Sequence, residues 1–200
     1  TDLLKFDPAT GTWTVSCGSS CTLRPPSVWL SGFGNTSSTP LLGDWDGDGR
    51  TDIAIYQGGS WQFARSTGSS FQAGSPPNLS FGSGTPLIGD FNGDGLADLG
   101  TYNSGSWQVA LGTGSGFTPE GRFSLSWGLS HDPLTGDFNG DGLTDLGLVA
   151  SSGLIEVRFG TGSGWGSVVP WISNFGGGFS HTSADFTGDG LSDVAYYDTG

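Results

Sequence analysis

The sequence predicts an all-β protein, a β-propeller built from about four four-stranded blades and either complete in itself or an arc of a larger ring. Three observations predict it. An acidic nine-residue loop recurs at a fixed period, short strands of alternating polarity flank it, and no stretch carries helical periodicity. Aligned on their last aspartates, the loops end at Asp52, Asp98, Asp145 and Asp193, spaced 46, 47 and 48 residues apart. A period of that size belongs to repeat architectures and, within them, to propeller blades. A β-sandwich also uses short strands, but it requires no fixed sequence period.

The chain opens on Asp2-Leu3-Leu4-Lys5-Phe6, which matches Asp52-Ile53-Ala54-Ile55-Tyr56 and reads as the tail of an earlier copy, 50 residues upstream. Residues 1–200 are therefore read as a single propeller domain or segment. Its repeat units run roughly over 1–39, 40–85, 86–132 and 133–180, with a partial unit at 181–200. Each unit enters through a short run such as Pro40-Leu41-Leu42 or Pro86-Leu87-Ile88 and then passes through the acidic loop. An apolar strand follows at 53–56, 99–102, 146–149 and 194–197. After a glycine-bearing turn comes a second strand, Trp61-Gln62-Phe63 or residues 107–111, with the period-2 alternation of a half-buried strand. A tight turn, GTGSGF at 112–117 and GTGSGW at 160–165, leads to a last strand ending in an aromatic-glycine pair. Those pairs are Phe33-Gly34, Phe81-Gly82, Trp127-Gly128 and Phe175-Gly176. In the first unit the tight turn is Cys17-Gly18-Ser19-Ser20-Cys21, which fits a small disulfide loop and an oxidising compartment better than a zinc site needing four ligands. The post-loop strand occurs at both ends, residues 2–6 and 193–197. A closed four-bladed ring needs it four times and the chain has it five times. Either the chain is a segment of a longer ring or one terminal strand pairs with a neighbouring molecule.

Written as nine positions, the loop is D-x-[DNT]-x-D-G-x-x-D. Oxygen-bearing side chains at every second position of a tightly wound loop converge on one point, and hard cations such as Ca²⁺ take six to eight oxygens. The expected ligand sets are Asp44, Asp46, Asp48, the Arg50 carbonyl and Asp52; Asp90, Asn92, Asp94, the Leu96 carbonyl and Asp98; Asp137, Asn139, Asp141, the Leu143 carbonyl and Asp145; and Asp185, Thr187, Asp189, the Leu191 carbonyl and Asp193. Glycines at positions 4 and 6 let the backbone bend. An EF-hand is excluded, since position 12 is Ile55, Thr101, Leu148 or Tyr196 rather than Glu, in β-type sequence. Asp, Asn and Gly are ordinary turn residues, which explains one such loop but not four in register. Of the 19 acids in the chain, thirteen sit in these loops, and the six others are matched by six basic residues. The net charge of −13 is thus concentrated where about four Ca²⁺ ions would neutralise it. An acidic chain without a basic patch is a poor nucleic-acid binder, and no apolar run is long enough for a membrane-spanning helix.

On these residues the chain resembles the FG-GAP/VCBS repeat family, the repeats of the integrin α-subunit propeller. The aromatic-glycine pairs, the Pro-Leu run before the loop and the D-x-[DN]-x-D-G-x-x-D loop carry the resemblance across essentially the whole chain. It implies a blade hairpin whose loop binds Ca²⁺ structurally, and a secreted or cell-surface setting, since such repeats occur in fungal lectins, bacterial surface and toxin-complex proteins, and beside secreted catalytic domains. Trp127 in place of Phe, and His181-Thr182-Ser183-Ala184 in place of the Pro-Leu run, depart from the pattern. No catalytic assembly is visible: His131 and His181 precede loops three and four at equivalent positions, and Ser130-His131-Asp132 is contiguous, which points its members to alternate faces. A non-catalytic binding, adhesion or structural module is expected, with a protein or glycan ligand. A carbohydrate-binding lectin, or an accessory propeller of a secreted enzyme or toxin, is the alternative. Trp13, Trp61, Trp107, Trp165 and Trp171 serve either blade packing or sugar stacking. Asn35 and Asn78 head glycosylation acceptor triplets.

Overall fold

The computed structural model of the chain describes residues 2–19, 22–128 and 131–197. Its described residues are strands, turns and one short 3-10 segment, without an α-helix. In the first repeat β1 (Leu3–Asp7) pairs with β2 (Thr12–Ser16), β3 (Gly18–Ser19) and β4 (Thr22–Leu23) form a hairpin, and β5 (Ser27–Leu30) lies on the far side of β2. The second repeat supplies β6 (Thr39–Gly43), β7 (Asp52–Gln57), β8 (Ser60–Ser66), β9 (Phe71–Ala73) and β10 (Leu79–Ser80). They are ordered β6-β7-β8-β10, with β9 also paired to β8. The third repeats the plan with β11 (Thr85–Gly89), β12 (Asp98–Asn103), β13 (Ser106–Gly112), β14 (Phe117–Pro119) and β15 (Leu125–Ser126). The fourth is β16 (Asp132–Gly136), β17 (Asp145–Val149), β18 (Ile155–Arg158) and β19 (Val169–Ile172), and β20 (Ser180–Ala184) with β21 (Asp193–Tyr197) forms a last two-stranded sheet. All pairings are antiparallel.

The strands that enter the four loops start at Thr39, Thr85, Asp132 and Ser180. Two expectations are corrected. The fourth strand is broken in two in the second and third sheets: Gly74, Pro76 and Pro77 interrupt one, and the 3-10 turn Gly121–Phe123 the other. Proline lacks the N–H a ladder needs. The aromatic-glycine pairs lie just beyond the last strand rather than ending it, where Gly34, Gly82, Gly128 and Gly176 take φ of 97°, 64°, 72° and 58°.

By its contacts the chain divides into two compact units, Thr1–Phe81 with Thr113–Gly116, and Gly82–Gly112 with Phe117–Gly200. The first is built on a core of Trp13, Phe33, Ile53, Ile55 and Phe71. The second has one core around Phe91, Trp107, Phe123 and Leu148, and another around Phe138, Val149 and Ile155. In β7 and β12 five consecutive residues are buried, so both faces of those strands are covered, while β8 alternates as the sequence predicts. The tryptophan that opens the third strand ties off the repeat. Its indole Nε1 donates to the carbonyl of the aromatic residue twenty positions on: Trp13 to Phe33 at 2.8 Å, Trp61 to Phe81 at 2.9 Å and Trp107 to Trp127 at 3.1 Å. Cys17 is a half-buried free thiol, and Cys21 lies outside the described residues, so the expected disulfide is not among the described bonds.

Candidate metal centre

Each acidic loop joins the two outermost strands of its sheet: β6 to β7, β11 to β12, β16 to β17 and β20 to β21. The glycines at positions 4 and 6 have positive φ in all four loops, from 75° at Gly47 to 88° at Gly190. That left-handed conformation is open to glycine and strained for other residues. It turns successive N–H groups inward onto the position-1 carboxylate. Asp90 Oδ1 accepts from Gly93 (2.7 Å) and Asp94 (3.2 Å), and its Oδ2 accepts from Gly95 at 2.8 Å. Asp44 and Asp137 accept the same three bonds, and Asp185 accepts from Gly188 and Gly190. At position 5, Asp48, Asp94, Asp141 and Asp189 each accept the N–H of position 7, that of Arg50, Leu96, Leu143 or Leu191, at 2.9 Å.

In the first loop oxygens of Asp44, Asp46 and Asp48 all lie within 4.8 Å of one another, the spacing that lets three donors share one cation. Two arginines lie against this cluster. Arg50 pairs with Asp48, and Arg65 Nη1 stands 2.9 Å from Asp46 Oδ2. In loops two and three an amide takes the arginines' part: Asn92 Nδ2 donates to Asp94 Oδ2 at 2.9 Å and Asn139 Nδ2 to Asp141 Oδ2 at 3.0 Å. The donor set of carboxylate, amide and hydroxyl oxygens wrapped by a glycine-rich backbone fits a hard cation.

Position 9 has a duty that the sequence pattern does not reveal. Asp52, Asp98 and Asp145 are fully buried. Each Oδ2 accepts the N–H of position 2 in its own loop, from Trp45 (3.2 Å), Phe91 (2.9 Å) and Phe138 (2.9 Å). Each Oδ1 accepts an N–H from the repeat's second long strand or just beyond it, from Ser66 (2.6 Å), Gly112 (2.7 Å) and Gly160 (2.7 Å). The carboxylate therefore clasps loop to sheet, and each oxygen keeps a lone pair for a metal. Burial pushes each of the three up to about 6, outweighing the two N–H bonds that act the other way. In the last loop Asp193 accepts from Phe186 (2.9 Å) and Thr187 (3.1 Å). Asp2 accepts from Gly18 N at 2.7 Å, a bond like the one each position-9 aspartate takes from beyond the glycine turn. Similar intervals, 14 to 16 residues from Asp to its strand donor and 20 from Trp to carbonyl, were the available sequence signal for these links.

The two histidines are not equivalent. His131 precedes β16, whereas His181 lies inside β20, opposite Tyr196. The buried His181 ring places Nε2 3.0 Å from Gly176 O, and its Nδ1 lies 3.7 Å from Asp132 Oδ2.

Residues 44–101, 90–148 and 137–196 each match the model of the FG-GAP-like repeat. No curated protein matches the chain by sequence. Among solved structures, a lectin of Agrocybe aegerita, described for its specific recognition of non-reducing terminal N-acetylglucosamine, is similar at TM-score 0.69 and 20% identity. The similarity covers 98% of this chain and 60% of the lectin. The Photorhabdus luminescens Tc holotoxin pore is similar at TM-score 0.58 and 19% identity, over 98% of this chain and 10% of that one. The chain thus spans less than two thirds of either neighbour's length. The fold is a β-propeller, its blades the antiparallel sheets described above. With three overlapping matches from residue 44 to residue 196, the chain belongs to the FG-GAP-like repeat family.

Proposed function

We propose that this chain is a calcium-stabilised propeller that binds a partner without catalysing a reaction, and that it works outside the cell. The observation that carries the reading is the first loop, where three carboxylates crowd within 4.8 Å, held by backbone N–H groups and two arginines. Like charges held that close are costly unless a cation joins them. Asp44, Asp46, Asp48 and Asp52 would hold the ion there, with the Arg50 carbonyl, and the corresponding residues in the other three loops. The ion would supply charge neutralisation and cross-link the loop. Extracellular calcium modules work at affinities near 10⁻⁴–10⁻³ M, which suits millimolar surroundings.

Titration calorimetry of the metal-stripped chain with CaCl₂ tests the reading, with about four ions expected per chain. At ten times the dissociation constant each site stabilises the fold by about 1.4 kcal/mol, so excess chelator lowers the melting temperature. No heat of binding and an unchanged melting curve would remove calcium from the account.

A second reading, carbohydrate recognition, is favoured by the N-acetylglucosamine-binding lectin whose fold this chain shares over 98% of its length. The buried, carbonyl-bonded Trp13, Trp61 and Trp107 are committed to the repeats, whereas Trp171, 41% exposed, is the exposed tryptophan. Phe179, Phe186, Tyr196 and Tyr197 are exposed as well, so these rings are the aromatic surface open to a sugar. A glycan array including terminal N-acetylglucosamine, followed by sugar elution, separates the readings. Silence of the array at millimolar sugar would leave a protein partner.

A further inference from the structure

In loops two and three the position-3 residue stands before a glycine, as Asn92-Gly93 and Asn139-Gly140. That pair is prone to react with itself, one reason asparagine counts among the thermolabile residues. The glycine nitrogen loses its proton and attacks Cγ of the asparagine, and with no Cβ beside it the approach is unhindered. The new N–Cγ bond closes a cyclic imide and expels the side-chain nitrogen as ammonia. Water then opens the imide at either carbonyl, leaving aspartate or its β-linked isomer. Nothing is oxidised or reduced, and water is the only co-reactant.

The closed loop restrains both reacting groups. Gly93 gives its N–H to Asp90 Oδ1 at 2.7 Å, and Gly140 gives its own to Asp137 Oδ1 at 2.7 Å, which fixes the plane of each glycine peptide. The side-chain amide is fixed as well. Asn92 Oδ1 accepts the Asp94 N–H at 3.0 Å while its Nδ2 donates to Asp94 Oδ2 at 2.9 Å. Asn139 is held by Asp141 in the same two ways, at 2.9 and 3.0 Å. Cγ is thus drawn toward position 5 and reaches the glycine nitrogen only after these bonds break. A leucine of the following loop closes over each glycine: a Cβ at Gly93 would meet Leu143 Cδ2 at 2.7 Å, and one at Gly140 would meet Leu191 Cδ2 at 2.8 Å. Both glycines are otherwise exposed, so water for the second step is at hand.

We infer that Asn92 and Asn139 are sites of spontaneous deamidation, held latent by the closed loop, with Asp90 and Asp137 as the clasps. The clasps are protein groups, so the latency holds whichever ion occupies the loop. Release changes the loop's chemistry. Aspartate at position 3 gives loops two and three the Asp-x-Asp-x-Asp run of the first loop, but Leu96 and Leu143 stand where the first loop has Arg50. A carboxylate would then face Asp94 Oδ2 where an amide now donates to it, and like charges that close repel. The β-linked isomer instead inserts a methylene into the main chain of the turn. Either product closes less well than the parent loop, so each opening that ends in reaction favours further opening.

Residues 91–96 and 138–143 are the same stretch, Phe-Asn-Gly-Asp-Gly-Leu, so each site is the other's control. The 200-residue chain is incubated in chelator at mildly alkaline pH, and peptide mapping by mass spectrometry follows the exchange of NH₂ for OH at each asparagine. Conversion in the folded chain should run about tenfold or more slower than in concentrated urea, the factor set by one hydrogen bond to a carboxylate. Equal rates overturn the inference. The folded rate should also stay flat across low urea, the mark of local opening. A rate that climbs from the first addition places the protection in global unfolding and overturns it. Asp90→Ala should speed Asn92 about tenfold or more with Asn139 unchanged, and Asp137→Ala should do the reverse. Variants that keep the wild-type circular dichroism and convert both sites at one rate overturn it as well.

Discussion

Asp94 and Asp98 stand four and eight residues from the loop's first aspartate, Asp90, yet they do different physical work. Asp94 faces the loop interior, whereas Asp98 is buried and holds two backbone N–H groups of separate elements. Asp98→Ala should therefore cost about 2–4 kcal/mol in urea unfolding whether or not calcium is present, because two buried donors lose their acceptor. Asp94→Ala should cost stability chiefly in calcium and little in chelator. Equal losses in both conditions for both variants would contradict this division. Proton linkage gives a second expectation. Asp52, Asp98 and Asp145 titrate near 6 in the folded chain and near 3.8 when unfolded, so between those values the folded state holds more protons. Their contribution to stability is present below about 4 and lost as pH rises through 6. Metal-stripped protein should thus melt higher at pH 5 than at pH 7, and saturating calcium, which needs the ionised carboxylates, should reverse the order. At the first loop, Arg50→Gln with Arg65→Gln removes both competing cations, and calorimetry should show tighter calcium binding there.

At the scale of the element, the repeat is a set of strands closed by side-chain bonds to backbone carbonyls and N–H groups. Trp61→Phe keeps an aromatic ring in a fully buried site but strands the Phe81 carbonyl, and it should cost about 2–4 kcal/mol by denaturant titration. The strands themselves were legible in the sequence because alternation and glycine punctuation act locally. So were the loops, whose positive-φ glycines at positions 4 and 6 leave a direct mark. Two things were not legible. Position 9 reads as one more oxygen in a row, although its partners are 7 and 14 residues away in sequence and only the folded hairpin brings them to it. The broken fourth strand depends on which proline N–H groups the ladder would have needed, a matter of register that composition does not carry. The arginines at the first loop lay in plain sight, but nothing in their spacing identified Asp46 and Asp48 as their partners.

For the whole molecule, charge is the property that organises behaviour. Thirteen of the chain's aspartates sit in four loops, and four divalent ions would bring its net charge from −13 to about −5. Removing calcium should therefore expand self-repulsion as well as uncross-link the loops, and added salt should recover part of the stability lost to chelator, through screening. A melting temperature in chelator that ignores ionic strength would show that the loops' mutual repulsion is negligible.

The short reach of the clasps has a kinetic consequence. Loop-closing bonds span 7 residues, loop-to-strand bonds 14 to 16 and the indole-to-carbonyl bonds of Trp13, Trp61 and Trp107 20, while links between successive repeats span about one period, 42 for Trp165 to Phe123, 47 for Thr135 to Ile88 and 48 for Ser183 to Thr135. Among the described residues, these closing bonds reach no further than the neighbouring repeat. A nascent chain leaving the ribosome can thus complete each sheet as it emerges and template the next upon it, so that order propagates along the polypeptide at the pace of translation instead of awaiting its last residue.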